Sequence, residues 1–518
     1  MALTREAYKT IEDIVGVENI SEEPVVLDGY AFQTWAEITM GQGSKFIPRP
    51  EAVALPGSVE EVQAIVKACN RFKIRFKAFS TGWGAFGGCG SEGVVQLDLR
   101  RMNRLLEIDE KNKYAVVEPY VTNAMLFMET IKKGLRPHGA GNGPSGSVLA
   151  SHTSMQGPGP TSISSGYSGR NLLGAEWVLP TGDVVRTGAL GSGAGWFSGD
   201  GPGPSLRGIM RGMNGAMGGL GVFTKCAVKL YSWAGPPEQG SKGRPPIYEP
   251  EMPERFVLYF LNFPSYDQMF EATRLIGEAE IGFAQNKAMI HGIAGAMTRS
   301  NDEMWDLWQT GMLQEKLDHG MVLMTAAHTD GEKEYKEKCL KEILGRMGGK
   351  IVKELQENPL AVAANYVWMV WGEPQRGLFR PSGGFGGAHH LFSTIDVIKY
   401  ELPFAFEEKK PFQEKGVLVE DCDNVWGVLY EHGTMGHHMD HTGSYDPHDP
   451  ESVKGMVEFV ALAHSGQVKR KTMETTFGDQ GNKLMGTANS NFHLWLMKIK
   501  KAFDPNTAAD PFMYTRSE

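Results

Sequence analysis

The stretch Ile74-Arg-Phe-Lys-Ala-Phe-Ser-Thr-Gly-Trp-Gly-Ala-Phe-Gly-Gly-Cys-Gly-Ser-Glu-Gly-Val-Val-Gln-Leu-Asp98 decides the reading of the chain. A short alternating apolar run ends at Phe79. A glycine-rich loop runs from Ser80 to Gly93, and a second apolar run, Val94 to Leu99, follows at once. The loop therefore joins two strands. Positions without side chains let backbone N–H groups turn inward and approach an anion, so the loop reads as a diphosphate clamp. Gly82, Gly84 and Gly87 spell G-x-G-x-x-G, but that pattern marks a Rossmann dinucleotide site only where it follows a strand and opens a helix. Here it opens onto a strand. The same pattern at Gly141, Gly143 and Gly146 has Pro144 inside it and no clear strand before it.

Working outward, Ala7 to Val15 reads as a short helix and Pro48 to Pro56 as a short strand punctuated by prolines. Ser58 caps a helix, with Glu61 completing a capping box and Val62, Ile65, Val66 and Cys69 at helical spacing. Leu105 to Asp109 and Tyr114 to Pro119 read as two strands, and Thr122 caps a helix running to about Lys133. The order strand, helix, strand, loop, strand, strand, strand, helix is an α+β layout, not the alternation of a doubly wound sheet. Gly235 to Pro253, rich in proline and glycine, reads as a linker. Beyond it, Phe256 to Phe263 begins a strand and Pro264 to Ile276 a helix. Charged helical segments run from Asp302 to about Lys353, and Tyr366 to Trp371 reads as a strand.

Composition bounds the rest. A chain of 518 residues with 41% hydrophobic and 22% charged residues suits a multi-domain globular protein. Its 64 glycines concentrate between residues 80 and 245, and a net charge of −9 argues against nucleic acid as a partner. The five cysteines, at 69, 89, 226, 339 and 422, form no C-x-x-C pair, so neither an iron–sulfur cluster nor a cysteine-zinc site is expected within the chain. Their odd, scattered count suits a reducing compartment. The first ten residues have no signal-peptide core, and the apolar run Pro359 to Trp371 is too short to span a bilayer. These points lead us to expect a cytoplasmic protein with no membrane span.

Several motifs then carry a resemblance. Arg49-Pro50-Glu51-Ala52-Val53, Val95 to Arg104 and Val116-Val117-Glu118-Pro119 flank the glycine loop. Glu176 to Thr187 reads as a hairpin with a tight Thr181-Gly182 turn, Gly218 to Thr224 as a glycine turn, and Lys498 to Pro505 reads KIKKAFDP. In order and spacing the chain resembles the vanillyl-alcohol oxidase / p-cresol methylhydroxylase superfamily, in its D-lactate dehydrogenase and glycolate oxidase branch. The resemblance implies a two-domain fold: a PCMH-type FAD-binding domain and a second, antiparallel-sheet substrate (cap) domain. It divides the chain into an FAD domain at 1–235, a linker at 236–253, a cap domain at 254–480 and a C-terminal segment at 481–518 that returns to the FAD domain. It implies that Ser80, Thr81, Gly82, Trp83 and Gly84 wrap the pyrophosphate of FAD. Ser154, Gly157, Pro158, Thr161 and Ser164 would line the dinucleotide, and Gly219, Gly221 and Val222 its adenine-ribose side. The loop holds no histidine, so FAD is expected to be bound there without a covalent bond, while attachment from the second domain stays open.

The densest chemistry of the second half lies between Glu431 and Asp449, where five of the fourteen histidines fall in nineteen residues. Imidazoles with carboxylates suit general-base work or a divalent metal such as Zn, Mn or Fe. In the resembling branch this is the place of an "HxGDGNxH" pair of metal ligands. His432 matches the first. Met439 stands where the second falls, with His438 one residue early. His464 lies where that branch carries "EHG", with Ala463 in place of the glutamate. By resemblance His432, His438 and His464 are candidates for the base, His432 and His438 for metal ligands, and Arg380 for the group that holds a substrate carboxylate as a two-pronged donor. Arg376, and His389 and His390 in a glycine-flanked loop, are lesser candidates.

The resemblance implies a flavin-dependent dehydrogenase or oxidase passing hydride from a hydroxyl-bearing, 2-hydroxyacid-like small molecule to flavin N5. Two alternatives stand beside it. One is a 4-alkylphenol or aromatic-alcohol oxidoreductase needing no metal. The other is a non-redox transferase of the alkyl-dihydroxyacetonephosphate synthase type. With no cluster or haem motif in the chain, electrons must leave to an external acceptor: an electron-transfer flavoprotein, an iron–sulfur or cytochrome subunit, a quinone, or oxygen. A homo-oligomer is left open.

Overall fold

The computed structural model describes residues 3–517 except 34, 40–43, 83–86, 142, 155–156, 188–204, 211–214, 245–246, 373–381, 389–390, 423–425, 431–434, 440 and 473–477. For residues 210, 243–244, 247–249, 388, 391–393, 426–430, 435–439 and 480 the backbone alone is described.

Helix Val59–Phe72 sets the first layer. Ser58 Oγ accepts from the Glu61 amide at 3.2 Å, and the Glu61 carboxylate reaches back to the Gly57 amide at 2.8 Å. Donors at the helix start are thus satisfied reciprocally, one residue earlier than in the usual box. Its buried face, Val62, Ile65, Val66 and Cys69, packs on a sheet ordered Ile20–Ser21, Ala52–Ala54, Val94–Asp98, Arg75–Phe79. Both Ala52–Ala54 and Arg75–Phe79 run parallel to Val94–Asp98, so the glycine-rich loop is the crossover of a parallel pair.

A second sheet is antiparallel throughout, ordered Leu105–Asp109, Tyr114–Val117, Val222–Lys229, Leu172–Val178, Val184–Arg186. The expected hairpin is its edge: the Gly182 amide donates to Leu179 O and the Leu179 amide to Asp183 O, both at 2.8 Å. Residues 504–514 come back to the first sheet. The Phe76 amide donates to Ala508 O and the Asp510 amide to Phe76 O, both at 2.9 Å.

In the second half, Ala284–Lys287, Gly320–Ala326, Phe256–Asn262 and Lys350–Ile351 form an antiparallel sheet in that order. Gly320–Ala326 interrupts the stretch read as helical from Asp302 to Lys353. It is buried along its whole length, so it shows no alternation that would set it apart from a buried helix segment. Smaller sheets follow: Gly384–Ala388 with His441–Tyr445, and Leu391–Ser393, Met435–Met439 and Trp426–Tyr430. The stretch 236–253 carries a hairpin, Ser241–Arg244 with Ile247–Pro250. No described helix is long and apolar enough to cross a membrane.

The strand expected at Tyr366–Trp371 is the end of a helix, Pro359–Trp371. Asn358 Oδ1 accepts from the Leu360 and Ala361 amides, both at 3.0 Å, and Pro359 takes the first helical position, where its missing N–H costs nothing. Ala361, Ala363, Asn365, Tyr366, Trp368, Met369 and Val370 are all buried. A helix buried nearly all round loses the amphipathic period by which helices are recognised.

Replacing Ile65 by Ala should destabilise the chain by about 2–5 kcal/mol, the cost of a core cavity. Replacing Ser58 by Ala should cost only about 1 kcal/mol. Urea unfolding of the two variants checks the ranking, and a Ser58→Ala loss equal to that of Ile65→Ala would refute this account of the helix start.

Candidate functional site

The two sheets of the first half meet along a cleft of about 780 Å³, part of it open to solvent. Its lip is the end of strand Arg75–Phe79 and the start of the glycine loop: Phe79, Ser80, Thr81 and Gly82. Gly82 has φ 71°, and a Cβ there would lie 2.5 Å from the Phe79 ring, so the turn admits glycine alone. Thr81 Oγ1 accepts from the Ser147 amide at 3.1 Å. Ser147 in turn caps helix Val148–Thr153 and donates its hydroxyl to Pro119 O at 2.6 Å. The lip is thereby pinned to a wall presenting Ser147, Ser151 and Ser154, while Met217, Gly218 and Gly221 form the back. A lining that combines hydroxyls and glycine backbone with the apolar Leu99, Leu149 and Phe223 suits a ligand with both anionic and flat apolar parts, as FAD is.

Of the residues expected to hold FAD, Ser80, Thr81, Gly82, Ser154 and Gly221 line this cleft. Val222 is the buried first residue of strand Val222–Lys229 beside it. Gly219 lies behind the back wall, where its carbonyl accepts from Lys500 Nζ at 2.7 Å. Trp83 and Gly84 lie outside the described residues.

Gly157, Pro158, Thr161 and Ser164 sit on a second stretch, between the cleft and the second half. It hangs on His138, which is buried. His138 Nε2 lies 2.7 Å from Gly157 O, and Nδ1 lies 2.9 Å from Ser165 Oγ and 3.2 Å from Thr161 Oγ1. A carbonyl only accepts, so Nε2 carries the hydrogen. Burial holds the His138 pKa down at about 3, so the ring stays neutral. Ser164 Oγ donates to Phe283 O at 2.7 Å, and the Gln285 amide donates to Pro160 O at 2.9 Å. The stretch is thereby bonded directly to strand Ala284–Lys287 of the second half.

That strand and the helix after it, Ile290–Met297, bring two polar side chains into the interior. Asn286 and His291 are 1% and 2% exposed, and among the described residues none of their four side-chain nitrogen and oxygen atoms has a hydrogen-bond partner. Buried polar groups are nearly always paired, so such atoms point to an absent partner. Burial lowers the His291 pKa to about 4.

The expected histidine site falls largely outside the described residues. His432 and Arg380 lie outside the described residues, as do Arg376, His389 and His390. The backbone of His438 pairs with Leu391 and Gly427, and its side chain is outside the description. His464, on helix Pro450–Arg470, is half-buried, and burial together with the nearby His441 lowers its pKa to about 4. His441 lies 2.8 Å from Glu408, and Arg470 joins Glu408 at 2.7 Å to Glu401 at 2.8 Å, a network tying helix Ile395–Glu414 to helix Pro450–Arg470. Among the described residues no group of three or more His, Cys, Asp or Glu could hold the suggested metal.

Sequence reasoning missed Ser147, His138, Asn286 and His291. One signal was available for Ser147: the glycine run Gly141, Gly143, Gly146, set aside as a Rossmann match, leads straight into this helix cap. A lone histidine or asparagine in an apolar run carries no comparable signal.

Comparison with known proteins bears on the domain and the fold. A family described as "FAD binding domain" matches residues 50–188. The probable mitochondrial D-lactate dehydrogenase of Danio rerio is 26% identical over 272 residues, covering 51% of this chain and 48% of the relative. The 4-cresol dehydrogenase (hydroxylating) flavoprotein subunit of Pseudomonas putida is 32% identical over 210 residues, 39% of this chain and 36% of the relative. The chain thus spans about half or less of these curated relatives' length. The structure of p-cresol methylhydroxylase with substrate bound superposes with a TM-score of 0.75 at 19% identity, covering 98% of this chain and 97% of that one. The chain thus carries an FAD-binding domain at residues 50–188, and over nearly its whole length it has the two-domain PCMH-type fold.

Proposed function

We propose that the protein oxidises a small, hydroxyl-bearing organic substrate and passes the electrons to an external acceptor. The observation that carries this reading is the direct bond from Pro160 to strand Ala284–Lys287, with unpartnered Asn286 next along the strand and His291 just beyond. FAD, when bound, supplies a two-electron acceptor at flavin N5. The chain's own residues then have distinct tasks. The Ser80–Gly82 lip and the serines of the facing wall hold the diphosphate. The stretch hung on His138 positions the ring end. Asn286 orients the substrate oxygen by hydrogen bonding. His291, neutral at physiological pH, has a ring nitrogen free to accept the hydroxyl proton as hydride departs. Both side chains are buried, which keeps bulk water away.

For the substrate, the names of the relatives offer a 2-hydroxyacid such as D-lactate and an alkylphenol such as 4-cresol. Ala463 and Met439 stand where the hydroxyacid branch carries metal ligands, which favours the aromatic alcohol or alkylphenol as a second reading. Free cysteines at 69, 89, 226, 339 and 422 support a reducing, cytoplasmic setting.

Purified flavin-loaded protein mixed anaerobically with D-2-hydroxyacids and with 4-alkylphenols should lose its oxidised-flavin absorbance with one of the two classes. Retention of that absorbance with every hydroxyl-bearing substrate would refute the reading. Bleaching by a hydroxyacid that a chelator abolishes would restore the metal-assisted version. With an active substrate in hand, Asn286→Leu and His291→Leu should each slow bleaching by about tenfold or more while leaving the bound flavin in place, as the loss of a hydrogen bond to the reacting group requires. Unchanged rates in both variants would remove these residues from the site.

A further inference from the structure

Lys77 is a fully buried lysine on strand Arg75–Phe79, two residues before the lip of the cleft. Its Nζ donates to Met217 O at 2.6 Å and to Phe512 O at 3.1 Å, both backbone carbonyls. A second buried lysine, Lys500, has a carboxylate partner, Asp504 Oδ2 at 2.6 Å. Among the described residues Lys77 has none so close; Asp510 acts on it through space, while its carboxylate accepts the amides of Gly90 and Phe512. An ammonium taken out of water without a paired anion is expensive, so a group held this way invites an anion from elsewhere.

The geometry says where that anion comes from. Lys77 lies directly behind the cleft. A Cβ placed on Gly218, which lines the cleft, would be 3.4 Å from Lys77 Cδ and Cε and 3.5 Å from Nζ. Gly218 thus stands between the lysine side chain and the cleft it lines, and φ 79° keeps it a glycine. The lip residues Ser80 to Gly82 continue from Lys77 along the same chain. We propose that Lys77 is the buried counter-charge for the cofactor's diphosphate, acting across Gly218 without touching it. This rests on FAD lying in the cleft, as set out above.

The groups facing Lys77 are Asp510 from the C-terminal segment, Cys89 from the glycine loop and Lys500 from helix Phe492–Phe503. Burial holds the Cys89 thiol protonated, and Lys500 is neutralised by Asp504. Burial also lowers the Lys77 pKa to about 8. A diphosphate nearby favours the ammonium, so binding takes up a proton above that pH, and affinity falls as pH rises through it.

The test measures binding of FAD, ADP and adenosine to the flavin-stripped full chain by calorimetry, from about pH 7 to about pH 9.5, a window that brackets the lowered ammonium titration. FAD and ADP affinity should fall across this range with proton uptake on binding, and adenosine affinity should stay level. Lys77→Met should weaken FAD and ADP by about tenfold to a hundredfold at the lower pH, sparing adenosine, and Lys77→Arg should keep the affinity but flatten its pH dependence. A Lys77→Met variant that loses ADP and adenosine equally would make Lys77 a structural prop and overturn the proposal. Should that variant fail to fold, a level FAD affinity in the unaltered chain across the pH range overturns it as well. Absence of any FAD or ADP binding to the unaltered chain would overturn both this inference and the cofactor reading beneath it.

Discussion

The cleft depends on one turn, Ala216 to Val222, being gripped from behind by two ammonium groups. Lys77 takes the carbonyl of Met217 and Lys500 that of Gly219. These oxygens face away from solvent, and a buried carbonyl without a donor is a standing cost. Lys500 also takes Ala509 O, and its partner Asp504 accepts the Ala508 and Ala509 amides. The back wall of the cleft, the first sheet and residues 504–514 are therefore one hydrogen-bonded unit. Loosening any member releases the others, because each leaves a buried polar group unpaired.

The far side of the site is held on different terms. His138 supports the stretch 157–169 as a neutral ring between a carbonyl and two hydroxyls, and Arg136, also buried, donates to Ser164 Oγ at 2.9 Å while lying over the Phe283 ring. The cations of the back wall are spent on backbone carbonyls, whereas the one cation on this side, Arg136, is spent on a hydroxyl and an aromatic face.

Much of the first domain was legible in the sequence because its signals are local. Ser58 with Glu61, Thr122 before its helix and Thr181-Gly182 in its hairpin each act over a few residues, and each forms as read. The glycine loop was legible as a connection between two strands, though the parallel pairing of those strands was not, since nothing local distinguishes parallel from antiparallel neighbours. The second domain was harder. Helix Pro359–Trp371 and strand Gly320–Ala326 are buried on all sides, which erases the polar face that betrays either period. Lys77, His138 and Asn286 could not be singled out at all. A buried lysine looks like a surface lysine until the residues that bury it, some of them hundreds of positions away, are in place.

The return of residues 504–514 has a consequence for how the protein is made. The bond from Lys77 to Phe512 O spans 435 positions, and the one from Lys500 to Gly219 O spans 281. A growing chain emerges from the ribosome with strand Arg75–Phe79 long before either partner exists. Until then its edge amides stay open and Lys77 faces water. The cleft can close only after residues 504–514 have been released, so the cofactor meets an unfinished pocket throughout synthesis. Contacts of such span also form slowly. Chaperones have the longest access to this edge, and a chain cut short before residue 504 would present it permanently.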